Sequence, residues 1–274
     1  MRSIAVMNQK GGVGKTTTAV NLSAALAEAG QRVCLVDLDP QAHASLHLGL
    51  SLRDGEPNVY DVLTGDKLFA DVRRPIGENL SVVPAHLDLA AAEVELAGEV
   101  GRELILRDKL AQDDEPLDYL VIDCPPSLGV LTINALAMVR EVFLPLQPHF
   151  LALHGLSKLL RTIEVVSKRL NPGLRLSGVL LCMYDANTRL AAEVSTDVSA
   201  YFSRERTPNN ICSQARTFAT RIRRNIRLAE APSFGQSIFQ YAPTSHGAED
   251  YRQLAAETLS MATEERALPL ARAA

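Results

Sequence analysis

The sequence predicts a single α/β domain built on a mostly parallel, twisted sheet with helices on both faces. Three observations predict it: short continuous apolar runs that read as buried strands, helical stretches between them, and a glycine-rich turn joining the first run to the first helix. Alternating strand and helix requires right-handed crossovers, and such sheets gather ligands at the carboxyl ends of their strands.

The first run is Ile4 to Met7, which ends in the glycine-rich turn. Thr16 to Ala29 then reads as a helix rich in Ala and Leu that stops at Gly30. Val33 to Leu38 is the second run, closed by Asp39-Pro40. Further runs are Leu80 to Val83, Tyr119 to Ile122, Val142 to Leu146 and Gly178 to Met183. Ala85 to Val100 and Gly155 to Arg169 read as helices, and a last helix is expected from about His246 to Glu264. There is no linker rich in Pro, Gly or Ser, no internal repeat and no low-complexity tract. Residues 1–264 are therefore expected to form one domain, and 265–274, ending ALPLARAA, a disordered tail.

At 274 residues the chain is long enough to bury about three quarters of its unfolded surface. Hydrophobic content of 47% with charged content of 22% excludes a disordered or fibrous chain. No run of about 18 apolar residues occurs and the first residues carry no signal-peptide pattern, so the expected location is the cytoplasm. Cys34, Cys124, Cys182 and Cys212 lie far apart with no C-x-x-C pair, which indicates neither a disulfide framework nor a zinc site. A net charge of −4 counts against a nucleic-acid partner unless local charge overrules it.

The turn reads Lys10-Gly11-Gly12-Val13-Gly14-Lys15-Thr16-Thr17. A turn of this kind between strand and helix places backbone N–H groups and the positive helix end around an anion. The glycines allow close backbone approach, Lys15 supplies charge to the β and γ phosphates, and Thr16 offers a hydroxyl to magnesium. The strict pattern G-x-x-x-x-G-K-[ST] would place glycine at position 9, where this chain has Gln9 followed by Lys10. This variant resembles the deviant Walker A motif of the ParA/MinD family of P-loop NTPases. The resemblance implies that residues Lys10 to Thr17 bind ATP with Mg2+, and that Lys10 reaches the nucleotide of a partner subunit, acting in trans much as an arginine finger does.

Asp37 and Asp39 emerge on one side of the second strand's end, at the ligand-binding edge, where two carboxylates are costly without cations. Asp39 is assigned to positioning or activating the attacking water, and Asp37 to the magnesium shell and switch movements. Capping of the following helix is the alternative for either. Leu120-Val121-Ile122-Asp123 repeats the pattern and resembles the family's Walker B region, which makes Asp123 a magnesium carboxylate.

The likeness continues through DLDPQ at 37–41, DCPPS at 123–127, PLQP at 145–148, HGL at 154–156, MYDANTRL at 183–190, RNIRLAEAPSFGQSI at 224–238 and YAPTSHGA at 241–248. Together these look like chromosomal ParA (Soj) proteins over nearly the whole chain. Ile222-Arg223-Arg224-Asn225 stands where such chains usually carry Ile-Pro-Arg-Asn, replacing a proline near the adenine, while Asn225 matches a residue expected at the base. An apparent insertion of about ten residues lies around 207–216, and no DNA-reading module is expected ahead of Met1.

Arg204, Arg206, Arg216, Arg221, Arg223, Arg224 and Arg227 are opposed only by Glu205 and Glu230. Such a face binds phosphates non-specifically and with steep salt dependence. The resemblance points the same way, and Arg189, Arg224 and Arg227, with Arg221 and Arg223 behind them, are the expected DNA contacts. Leu268 and Leu270, separated by a proline, are too little apolar surface for a membrane anchor. The family therefore implies an ATP-dependent sandwich homodimer that coats double-stranded DNA on the nucleoid, released by hydrolysis that a ParB-like partner stimulates. Alternatives of the same fold stay open at this stage: a positioning ATPase for a non-DNA cargo, an iron-sulfur ATPase, or a small-molecule kinase or ligase.

Overall fold

The computed structural model describes residues 1–149, 156–207 and 210–267. β1 (Arg2–Val6) leads through the glycine-rich loop into α1 (Lys15–Glu28), one residue earlier at each end than the sequence suggests. Gly30 ends that helix at φ 81°, and the Gly30 and Gln31 amides bond back to Ala27 and Leu26, closing it as a Schellman motif. β2 (Val33–Asp37) is followed by α2 (His43–His47), α3 (Val59–Thr64) and α4 (Phe69–Val72). β3 (Arg74–Pro75) and β4 (Leu80–Val83) come next, then α5 (Leu89–Glu95) and α6 (Ile105–Leu110).

The helix expected over 85–100 is thus shorter. Pro84 and the loop behind it occupy its first turn, and Leu96–Gly98 tightens into a 3-10 turn. β5 (Tyr119–Asp123), α7 (Val130–Met138) and β6 (Glu141–Leu146) precede α8 (Leu156–Arg169). The chain continues through β7 (Arg175–Tyr184), α9 (Arg189–Glu205), β8 (Arg216–Arg223), α10 (Ile226–Glu230), α11 (Ile238–Tyr241) and α12 (His246–Ala267). Helix α12 thus runs three residues past the boundary expected at Glu264; residues 268–274 of the expected tail, and most of the HGL segment, lie outside the described residues.

Among the described residues the strands form one eight-stranded sheet in the order β3-β4-β2-β5-β1-β6-β7-β8. Every pairing is parallel except that of β3 with β4. β1 lies between β5 and β6, so the crossovers part on either side of it and open a crevice beyond its carboxyl end. The central strands are buried except for half-buried Arg2, as a parallel sheet covered on both faces demands. Ile4, Val6, Leu35 and Val121 pack with α1 and α12 on one face; Ala5, Val36, Leu120 and Ile122 pack with α7 and α8 on the other.

β8 was not expected. Its Arg-Thr-Phe-Ala-Thr-Arg-Ile-Arg alternates buried and exposed residues, the signature of a half-exposed edge strand that a search for continuous apolar runs passes over. It bulges against β7, and Glu257 of α12 accepts from the Ala219 and Thr220 amides at 2.8 and 3.0 Å, which closes part of the edge. The far half of the apparent insertion is built into the fold: Ile211, Cys212 and Ala215 are buried, and the Ile211 carbonyl accepts from the Leu176 amide at 2.9 Å.

At the opposite, amino-terminal end of the sheet, Arg2 forks onto Glu141 at 2.6 and 2.9 Å, with Arg175 at 3.8 Å. Burial pushes the Glu141 carboxyl up, but Arg2 and then Arg175 outweigh it and hold it below the ordinary value. A carboxyl depressed in the folded state stabilises above its unfolded pKa, and that contribution fades as pH falls through the folded one. Glu141→Gln is expected to cost about 3–5 kcal/mol in urea unfolding at pH 7 by leaving Arg2 buried and unpaired. The deficit should shrink as the pH falls below the glutamate range; a constant deficit would show that packing, not charge, is responsible.

Candidate active site

The loop after β1 is held from both ends. Asn8 Nδ2 donates to the Pro145 carbonyl at 2.8 Å, and the Lys10 amide donates to Asn8 Oδ1 at 3.0 Å. Gly12 and Gly14 have φ of 71° and 93°, a backbone that side chains rarely adopt, and Gly14 caps α1. Open space surrounds Gly11 and Gly12. Lys15 is buried and donates to the Lys10 carbonyl at 3.2 Å. Burial pushes its ammonium down against the upward pull of Asp123 and Asp39. Lys10 is exposed, its Nζ against His149 Nε2.

The acidic stations meet where the register brings them. Asp37 on β2 pairs directly with Asp123 on β5, and Asp123 pairs on its other side with Val6, the last residue before the loop. Both carboxyls are fully buried. Asp37 is well satisfied: the Ser45 amide and hydroxyl donate to Oδ2 at 2.8 and 2.7 Å, and the Asp39 amide donates to Oδ1 at 3.2 Å. Asp123 is the opposite case. Neither of its oxygens has a partner of ordinary hydrogen-bond geometry, although the Thr16 hydroxyl is near enough to favour its charged form. Burial raises the Asp123 carboxyl well above the usual range, Asp37 and Asp39 add to this, and Thr16 and Lys15 offset only part of it. A fully buried carboxylate with both oxygens orphaned, beside a threonine hydroxyl, fits a hard divalent cation.

Against the loop and Asp39 lies a cleft of about 1010 Å³; neither Asp37 nor Asp123 is among the residues that line it. Gly11, Gly12, Gly14 to Thr17 and Pro125-Pro126-Ser127 line one part of it, Asp39 to Gln41 another, and Met183 with Arg223 to Ile226 the far wall. Asp39 is 9% exposed and accepts from the Gln41 amide at 3.0 Å. Asn225 lines the far wall while its Oδ1 caps α10 through the Arg227 amide at 2.9 Å. Lys10 is not among the residues lining this cleft; Lys15, Thr16 and Asp39 are.

The arginines have different surroundings. Arg221 lies 4.5 Å over the Tyr184 ring and donates to its hydroxyl at 2.8 Å. Arg223 is clamped by Asp250 and Glu249 of α12, and Arg227 pairs with Glu230 at 2.8 Å. Arg189 is 96% exposed and only loosely near Glu193, and Arg224 is exposed beside the cleft.

Sequence reasoning missed several participants. Ser45 holds Asp37, Tyr251 donates to or accepts from Thr18 at 3.2 Å, and Asp250 holds Arg223. Nothing in their spacing marks them: Ser45 folds back onto Asp37 from eight residues away, and Tyr251 and Asp250 meet Thr18 and Arg223 from 233 and 27 residues away. Met183, at φ 52°, is a strained position on the cleft wall that no local signal reveals.

A family model described as an AAA domain matches residues 1–176. The sporulation initiation inhibitor protein Soj of Bacillus subtilis is 48% identical over 255 residues, covering 93% of this chain and 96% of that one. The chromosome-partitioning ATPase Soj of Thermus thermophilus is 47% identical over 264 residues, covering 96% and 98%. Among solved structures, one named cobyrinic acid a,c-diamide synthase from Mycobacterium smegmatis, with bound ADP and magnesium, is 38% identical, with a TM-score of 0.81 and 98% of each chain covered. With its motifs gathered on one sheet edge and these relatives matched nearly end to end, the chain belongs to the ParA/MinD family of deviant Walker A ATPases, close to chromosomal ParA (Soj).

Proposed function

We propose that this protein is a partition ATPase whose ATP-bound homodimer binds DNA non-specifically in the cytoplasm, on the nucleoid, and lets go after hydrolysis stimulated by a ParB-like partner. The observation that carries the enzymatic part is the orphaned Asp123 carboxylate at the end of β5, near enough to Thr16 and Lys15 for both to favour its charged form. Asp123 and Thr16 would hold magnesium, which when bound neutralises charge on the β and γ phosphates. Lys10 to Thr17 cradle those phosphates with backbone N–H groups, Lys15 supplies the fixed charge, and Asp39 orients the attacking water. Asp37 acts behind Asp123: its oxygens already hold Ser45 and the Asp39 amide, so it belongs to the outer magnesium shell and to movement of residues 39–45. Asn225 on the far wall meets the base.

The DNA face rests on Arg189, Arg221 and Arg224, which are exposed, with Arg223 and Arg227 contributing charge from within their pairs. No helix among the described residues is long and apolar enough to cross a membrane. The synthase name carried by the Mycobacterium smegmatis structure raises a second reading, amidation of an organic acid. Releasing ammonia from glutamine would need an activated thiolate, and here all four cysteines are buried, with burial pushing Cys182 and Cys212 up to about 12.

Binding to non-specific duplex DNA, measured without nucleotide, with ADP and with ATP plus magnesium across a salt series, tests the reading. Binding is expected only with ATP, to persist longest in Asp39→Ala, and to fall with a log–log slope of about −0.9 per phosphate contacted. DNA binding in no nucleotide state would remove DNA as the ligand and leave a positioning ATPase for another cargo.

A further inference from the structure

The far wall of the cleft is held by α12, and by two consecutive residues of it. Asp250 is 2% exposed, and its carboxylate takes the Arg223 amide at 2.8 Å and the Arg223 guanidinium at 2.6 and 2.9 Å. Glu249 adds a contact to the same guanidinium at 2.6 Å. The next residue, Tyr251, is fully buried, lines the cleft, and meets the Thr18 hydroxyl at 3.2 Å, in the first turn of α1 directly behind the phosphate loop.

The ladder between β7 and β8 slips between Cys182 and Tyr184, and the Arg224 amide reaches Tyr184 only at 3.3 Å. At the irregular end of β8 a charged side chain therefore reinforces a ladder whose register is broken. A proline there would fix φ by itself but could not donate its nitrogen to Asp250.

We propose that Asp250 and Tyr251 form a strut that sets the spacing between the phosphate loop and the Arg223–Asn225 wall, making them positioning residues for the base end of the nucleotide. This rests on the nucleotide reading of the cleft. Phosphate binding depends on loop 10–17, behind which the strut meets Thr18; base binding depends on the wall it holds. Weakening the Asp250 end must therefore penalise a ligand with a base and spare one without.

The test is calorimetric binding of ATP, ADP and inorganic tripolyphosphate, each with magnesium, to wild type, Asp250→Asn and Arg223→Lys in the full chain. Asp250→Asn is expected to weaken ATP and ADP by about tenfold, the scale of one charge-assisted hydrogen bond, and tripolyphosphate by less than about twofold. Arg223→Lys, which keeps the backbone amide bond but loses the forked guanidinium contact with Asp250, should weaken ATP and ADP several-fold and spare tripolyphosphate in the same way. Equal weakening of ATP and tripolyphosphate would show a merely structural role and overturn the strut, as would no weakening of either. A wild type that binds tripolyphosphate but not ATP overturns the base wall, whereas one that binds neither overturns the nucleotide reading and the strut with it.

Discussion

Replacing Asp123 with Asn is expected to cut magnesium-dependent ATP hydrolysis by about 10²-fold or more, since a metal's charge stabilisation is worth several kcal/mol at 1.4 kcal/mol per decade. The same change should leave stability without nucleotide within about 1 kcal/mol of wild type, or above it. The two expectations have one cause. Asp123 is fully buried, both oxygens lack partners, and burial with Asp37 and Asp39 nearby raises its pKa well above normal, so its charge is a cost to the folded chain. Asn keeps the shape and removes the charge. In a thermal melt with ATP and magnesium at 100 times Kd, wild type should gain about 2.7 kcal/mol and Asp123→Asn almost none. A variant several degrees less stable without nucleotide would mean that Asp123 holds the sheet together; one that hydrolyses normally would move the metal elsewhere.

What could be read from the sequence follows the range of the physics involved. Strand β1, its loop and α1 are specified within some 30 consecutive residues by apolar run, glycine and helix-stop signals, and they stand where expected to within two residues. Asp37 and Asp123 were legible as strand-end carboxylates for the same local reason. Their direct pairing was not, because register depends on how β2 and β5 meet across 86 positions, as Asp37↔Asp123 shows. β8 escaped because one side of it meets solvent, so its pattern alternates instead of running apolar. The arginines were legible as a charged stretch but not in their pairings: Arg223, which stands in the family's proline position, is bound by two acids from α12 that lie 26 and 27 residues away. Asp250, Tyr251 and Ser45 carry no motif; their roles come from contacts that only the folded chain creates.

Lys10→Ala should lower ATP hydrolysis by about 10³-fold or more, the range of an arginine finger, while changing ATP affinity only a few-fold. The geometry separates the two lysines. Lys15 is buried and lines the cleft, whereas Lys10 is exposed, lies against His149 and is absent from the cleft wall. Yet the Lys10 backbone is fixed, its amide by Asn8 and its carbonyl by Lys15. A rigid base with an exposed tip suits a group that serves a neighbour's nucleotide. Mixing variants decides between action within a subunit and across the interface. Asp39→Ala keeps Lys10, and Lys10→Ala keeps Asp39, so each alone should be inactive. If Lys10 acts across the interface, a mixed dimer holds one complete site: the ATP on the Lys10→Ala subunit, with its own Asp39 and the partner's lysine. An equal mixture should then recover roughly a quarter of wild-type turnover, half the dimers being mixed and half their sites complete. If Lys10 acts within its own subunit, neither site of the mixed dimer is complete and the mixture stays as inactive as its parts.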